Sequence, residues 1–225
     1  MKKLKLFTQV MLLCFATTIM FSCTSREEKA NRLIKEDMFR TLFDFASYEP
    51  IETKIDSAFT SVFRDAEILG LAYVFAKFLD ENLSYRRRAQ SALRSMEIWS
   101  DSRTPYGRTR FNRASDEVLE NLEKATASLE KASIARQLMR DKILEFTPEF
   151  IGWQATHRFR SRTRGGHFTI GNFLYVFNPE ITEIIHKEDL DDEEKQELRA
   201  IIADIKEGAL SLEPSIENEE IALAE

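Results

Sequence analysis

Arg158, Arg160, Arg162 and Arg164 occupy alternate positions in one short segment, following the apolar alternation of Ile151, Trp153, Ala155, His157 and Phe159. Such alternation marks a half-buried strand, so the four guanidinium groups share one face. Gly165-Gly166 follows, and a two-residue turn there returns His167 to Asn178 as a second strand. That turn sets Arg158 opposite Phe173, Thr156 opposite Tyr175 and Gln154 opposite Phe177, with His157 opposite Leu174 on the other face. The expected product is a row of arginines beside aromatic rings. Arg158, Arg160, Arg162, Arg164 and Tyr175 then form a candidate site for a phosphate, a carboxylate or an acidic partner surface. Arginine makes fork-shaped bidentate contacts to such groups, and the rings add cation–π attraction or a platform for a sugar. The competing reading is a solvated sheet face whose arginines meet the acidic last helix and guard a strand edge. The abundance of acids favours this second reading, and one residue of slip would change which side chains share a face.

Other chemistry finds less support in the residues. Of the three histidines, His157 and His167 fall on opposite faces in this register, and His186 stands apart. No HExxH, nucleophile elbow or Walker-type phosphate loop occurs. Asp189-Leu190-Asp191-Asp192 lacks the glycine and the ligand spacing of an EF-hand, and reads as a capped helix start. Acids are too numerous to nominate a glycosidase pair. No metal and no cofactor are expected.

Cys23 has the most definite chemistry. Lys2, Lys3 and Lys5 precede an apolar run from Leu6 to Phe21, and Ser22 and Cys23 end it. The order of basic head, apolar stretch, small residue and cysteine resembles a bacterial lipoprotein signal peptide. Cleavage before Cys23 would leave an N-terminal cysteine that carries lipid, with residues 1–22 removed and 23–30 as a short lead. Met20 and Phe21 stand where leucine and a small residue are usual, a departure that Bacteroidetes-type signals tolerate. A transmembrane anchor needs about 20 apolar residues, and Thr8, Gln9, Thr17 and Thr18 interrupt this shorter run. No aspartate follows the cysteine, so the enterobacterial inner-membrane retention signal is missing. Arg26-Glu27-Glu28 fits a surface-export signal or an ordinary acidic helix start. The expected location is the outer membrane, on its periplasmic or cell-surface side. The expected partner there is the lipid bilayer, through acylated Cys23.

Loss of residues 1–22 removes three lysines and no acid, so 29 bases and 38 acids remain, a net of −9. That balance argues against nucleic acid as a partner. Cys14 leaves with the leader and Cys23 is acylated, so no disulfide is expected. The charge is uneven. Eight arginines lie between Arg86 and Arg113 against Glu97 and Asp101, whereas residues 180–225 hold 16 acids and four bases.

The elements that must position these residues read as mainly helical. Ile34, Met38, Leu42 and Phe45 mark a first helix over 26–46, stopped by Tyr48-Glu49-Pro50. Ile55, Phe59, Val62, Phe63, Ala66 and Leu69 begin an apolar helix over 53–83. Ser84 starts a third, to Trp99. Residues 100–111 form a loop around Pro105 and Gly107. Val118, Leu122, Ala125, Leu129, Ala132, Met139 and Ile143 give a fourth helix a coiled-coil-like seam, expected against an antiparallel helix of the same chain. Asp191 to Glu194 opens the last helix, and an acidic tail follows from 213. The expected fold is mainly α (α+β). A single domain over 31–212 holds a bundle of four to five helices plus one antiparallel β-hairpin at 150–178. It is expected to be monomeric.

FIGWQATHRFRSRTRGGHFTIGNFLYVF (150–177) resembles the C-terminal hairpin of small Bacteroides-type lipoproteins, which carry "FIGW…H.FR…G" and then an aromatic strand. SALRSMEIWSDSRTPYGRTRFN (91–112) is similar to their "SM.IW…YG…N" segment. The resemblance implies an envelope location and a helical body with a hairpin, and it brings no activity. Two functional expectations follow. One is a non-enzymatic lipoprotein that binds an acidic protein or envelope ligand at the arginine face or the 100–111 loop. The other is an envelope hydrolase acting on glycan or peptide through scattered acids and His157 or His167.

Overall fold

The structure, a computed structural model, describes residues 25–208. Cys23, the leader before it and the acidic tail from 213 lie outside the described residues. Among the described residues, four helices and one four-stranded antiparallel sheet form, grouped into two compact units. The sheet replaces the lone hairpin expected at 150–178, and the two units replace the single helical domain.

The first unit contains α1 (Arg26–Thr41), β1 (Asp44–Phe59), β2 (Phe150–Arg162), β3 (Phe168–Phe177) and β4 (Ile184–Asp189). Ser25 caps α1: its hydroxyl accepts from Glu28 N–H while the Glu28 carboxylate accepts from Ser25 N–H. This reciprocal pair satisfies two helix-end donors, which gives Glu28 a structural task. Ala30, Ile34 and Met38 form the buried stripe of α1, at intervals of four. They pack on Ala155, Phe159, Tyr175 and Phe177 of the sheet. The strand order is β1-β2-β3-β4, so β1 is an edge.

β1 is the largest correction to the sequence reading, which has a break and then a helix here. Glu52, Lys54 and Asp56 alternate with Thr53, Ile55 and Ser57, and β2 pairs with that alternation residue by residue. Pro50 is tolerated because it sits on an edge strand, where register shifts flank it. The short strand β4 was also unexpected.

The second unit is helical: α2 (Ala66–Trp99), α3 (Pro105–Glu145) and α4 (Glu193–Glu207). Asp65 caps α2, its carboxylate accepting from Glu67 and Ile68 N–H. The helix runs unbroken through Ser84, since no proline interrupts 66–99. Val118, Ala125, Ala132 and Met139 are buried at seven-residue spacing along α3. They face α2 as an intrachain antiparallel seam, while Leu122 points outward. Buried Asn82 crosses the seam and donates to Ala125 C=O at 2.7 Å. Phe75, Ile202 and Ile205 close the core of this unit.

Candidate functional site

The arginine row is real but its surroundings differ from expectation. Arg158, Arg160 and Arg162 alternate with buried His157, Phe159 and Ser161 and point outward. Their cross-strand neighbours on β1 are acids: Glu52 opposite Arg158, Glu49 opposite Arg160 and Asp44 opposite Arg162. Arg160 Nη1 lies 3.9 Å from Glu49 Oε2. Arg160 and Arg162 also cover the ring of Phe168, at 3.9 and 4.9 Å from its centroid. Arg164, in the turn, lies 5.7 Å from the ring of Phe43. The row thus meets acids as the second reading required, but they come from β1.

Tyr175 is not with the arginines. β2 and β3 pair as Arg162 with Phe168, Arg158 with Asn172, His157 with Phe173 and Ala155 with Tyr175. This is one residue off the two-residue turn. The loop is longer: Gly166 N–H bonds Thr163 C=O, and Thr163 N–H bonds His167 C=O. Gly166 alone of the Gly-Gly pair takes a positive φ, 78°. A turn followed by a left-handed glycine is the bulged hairpin geometry. The slip moves Phe173, Tyr175 and Phe177 to the helix-covered face.

On that covered face two polar groups sit among the rings. His157 is 1 % exposed. Its Nε2 lies 2.9 Å from Tyr48 Oη and its Nδ1 lies 2.9 Å from Thr53 Oγ1. Burial pushes its pKa down from 6.5 to about 4, so the ring is neutral at ordinary pH. Burial also raises the Tyr48 phenol. Beyond them, the Tyr175 hydroxyl donates to Asp37 Oδ2 at 2.7 Å, and Lys187 Nζ donates to the same oxygen at 2.5 Å. Burial, and then the Asp37 carboxylate, hold the Tyr175 phenol protonated.

Tyr48 and Thr53 form the floor of an open groove between α1 and the edge strand. Its volume is about 620 Å³, with Asn31 and Lys35 on the α1 wall and Phe45 and Pro50 to Thr53 along β1. Lys35 and Phe45 continue into an adjoining hollow of about 440 Å³, lined also by Arg32, Glu36, Phe39 and Arg40. Phe45 stacks on Tyr48 at 5.4 Å and meets Phe39 edge-on at 5.2 Å. The arrangement offers flat apolar faces beside three cations, Arg32, Lys35 and Arg40, and two acids, Glu36 and Glu52. A phenol held by a neutral imidazole and a hydroxyl held by the same ring make a rigid floor. Among the described residues His157 has two hydroxyl partners, Tyr48 and Thr53, and no carboxylate hydrogen-bonded to it. His167 is exposed in the turn, and His186 Nε2 lies 3.8 Å from Glu188 Oε2. No group of three His, Cys, Asp or Glu among the described residues is placed to hold a metal.

Sequence reasoning missed Tyr48 and Thr53 because it missed β1. The alternation of residues 52–57 was the available signal. No family model, no curated protein and no solved structure matches the chain.

Proposed function

We propose that this protein is a lipid-anchored envelope lipoprotein, tethered through Cys23, that binds an anionic ligand with a flat apolar body without transforming it. The observation that carries the binding reading is the groove between α1 and β1. Phe45 and Tyr48 supply stacked rings, Lys35 and Arg32 supply charge, and His157 fixes Tyr48 from beneath. Cation and ring together suit an acidic sugar or an aryl acid. The leader pattern ahead of Cys23 supports the tether. No helix of the described residues is long and apolar enough to cross a membrane.

Two measurements test the two halves separately. Cell fractionation should find the chain in membranes and the Cys23→Ser variant released from them; a variant that stays membrane-bound overturns the tether. For the groove, the Cys23→Ser chain is titrated with phenyl phosphate and with glucuronate by amide NMR. Shifts should centre on Lys35, Phe45 and Tyr48, and a Lys35→Glu variant should weaken them at least about tenfold, the size of a lost charge-assisted contact. No shifts with either probe, or shifts unchanged in Lys35→Glu, overturn the groove as the site.

A further inference from the structure

The distal end of the α2–α3 hairpin carries a surface unrelated to the groove. Residues 94–113 hold five arginines and two acids. Asn82 bonds Ala125 across the seam, which sets Arg94 near the level of Arg113 and places all five within the last turns of the hairpin. Arg113 is paired with Glu117 at 3.1 Å. Arg94, Arg103, Arg108 and Arg110 are exposed and have no carboxylate partner among the described residues. Ile98 is 76 % exposed and Tyr106 64 %. Tyr106 packs edge-on against Trp99 at 5.6 Å, and Arg110 lies 6.0 Å from the Tyr106 ring.

The turn that presents these side chains is braced. Thr104 Oγ1 accepts from Gly107 N–H at 3.0 Å and lies 3.0 Å from Ser102 Oγ. A Cβ at Gly107 would sit 1.8 Å from Ser102 Oγ, so only glycine lets the turn fold against α3. A braced tip of guanidinium groups around Ile98, Trp99 and Tyr106 follows.

We infer that this tip binds the surface of an anionic phospholipid bilayer. Ile98 and Tyr106 stand exposed on either side of a helix–helix turn, and a bilayer accepts such apolar points between its headgroups. Tryptophan and tyrosine rings, apolar in body and polar at one edge, suit the headgroup level. Unpaired arginines around them match the negative potential of anionic headgroups. The inference does not depend on the groove or on the lipid at Cys23.

The test uses the Cys23→Ser chain, which lacks the acyl anchor, sedimented with vesicles of phosphatidylcholine alone or with about one-third phosphatidylglycerol. Binding is expected only with the anionic lipid and should fall steeply with added salt. Combined Arg103→Glu, Arg108→Glu and Arg110→Glu substitution should cut partitioning about a hundredfold, with an unchanged helical circular dichroism spectrum. Ile98→Asp, a single exposed change, serves as a second variant and should also lower binding. Absence of sedimentation with the anionic vesicles overturns the inference, as does binding unaffected in both variants. Retention of an acidic protein by these arginines without any vesicle binding assigns the tip to a protein surface and overturns it too.

Discussion

His157 takes its state from two hydroxyls and from burial. Neutral imidazole has one donor and one acceptor nitrogen, and Tyr48 and Thr53 can satisfy both. A proton on the ring would place a charge among Phe159, Tyr175 and Tyr48, and burial keeps both tyrosine phenols protonated and uncharged. In the unfolded chain the same histidine protonates below about pH 6.5. Folded, it holds off until about pH 4. Between those values the unfolded state binds more protons, so stability falls as pH falls. The loss should reach about 3 kcal/mol by pH 4. Urea denaturation at pH 7, 5.5 and 4 checks this against His157→Gln, which keeps polar atoms and loses the titration. A decline equally steep in both chains would assign it to the carboxylates. Asp37 makes a second case at this scale. It accepts from Tyr175 and Lys187 together, so Asp37→Ala leaves a buried hydroxyl and a half-buried ammonium without their acceptor. A cost of about 2–3 kcal/mol is expected, read as a lower denaturation midpoint with unchanged slope.

At the scale of elements, β1 and β2 form a ladder of opposite charges on the outer face of the sheet. Arg160 and Glu49 are both well exposed, so their attraction is worth only a few tenths of a kcal/mol. Arg160→Glu faces Glu49 across the ladder and should cost about 0.5–1 kcal/mol. Adding Glu49→Arg should recover most of it, and a double-mutant cycle in urea measures the coupling. Zero coupling would mean that the register alone, without charge, sets the pairing. The same ladder shows what the sequence could and could not reveal. β2 was legible because its alternation is strict over ten residues. The face of β3 was misread because it depends on the residue count of a loop, and Gly-Gly permits several. β1 was misread because Ile55, Phe59, Val62 and Phe63 satisfy a helical spacing as well as part of a strand spacing. Only pairing with β2, more than 90 residues away, decides between them. One row of the α3 seam was legible, Val118, Ala125, Ala132 and Met139. The second row is Ser128 and Ala135 in place of the expected Leu122 and Leu129, because small residues let α2 approach closely. The groove was hidden with β1, since one of its two walls belongs to that strand.

At the scale of the whole molecule, the chain leaves the sheet unit after β1 and returns to it at β2. Residues 60–148 lie between two strands that are hydrogen-bonded neighbours. Phe59 and Phe150 pair across the ladder, and their rings meet at 5.8 Å. The ends of the insertion are therefore as close as the ends of a tight hairpin. An Asn-Gly turn should join them without strain, because that pair supplies the left-handed backbone such a turn needs. The sheet unit also has its own core of Ile34, Met38, Phe159, Tyr175 and Phe177, drawn from α1 and the sheet alone. A chain of residues 25–59, Asn-Gly and 150–192 is thus expected to fold independently. It is small, and domains near 80 residues retain only a few kcal/mol of stability. Cooperative urea unfolding followed by near-ultraviolet circular dichroism of the buried tyrosines is the measurement. The His157 pH dependence should persist in the excised unit, because every partner of that ring is retained. Uncooperative unfolding, or loss of that pH dependence in a folded chain, would show that the helical insertion is needed to set the sheet.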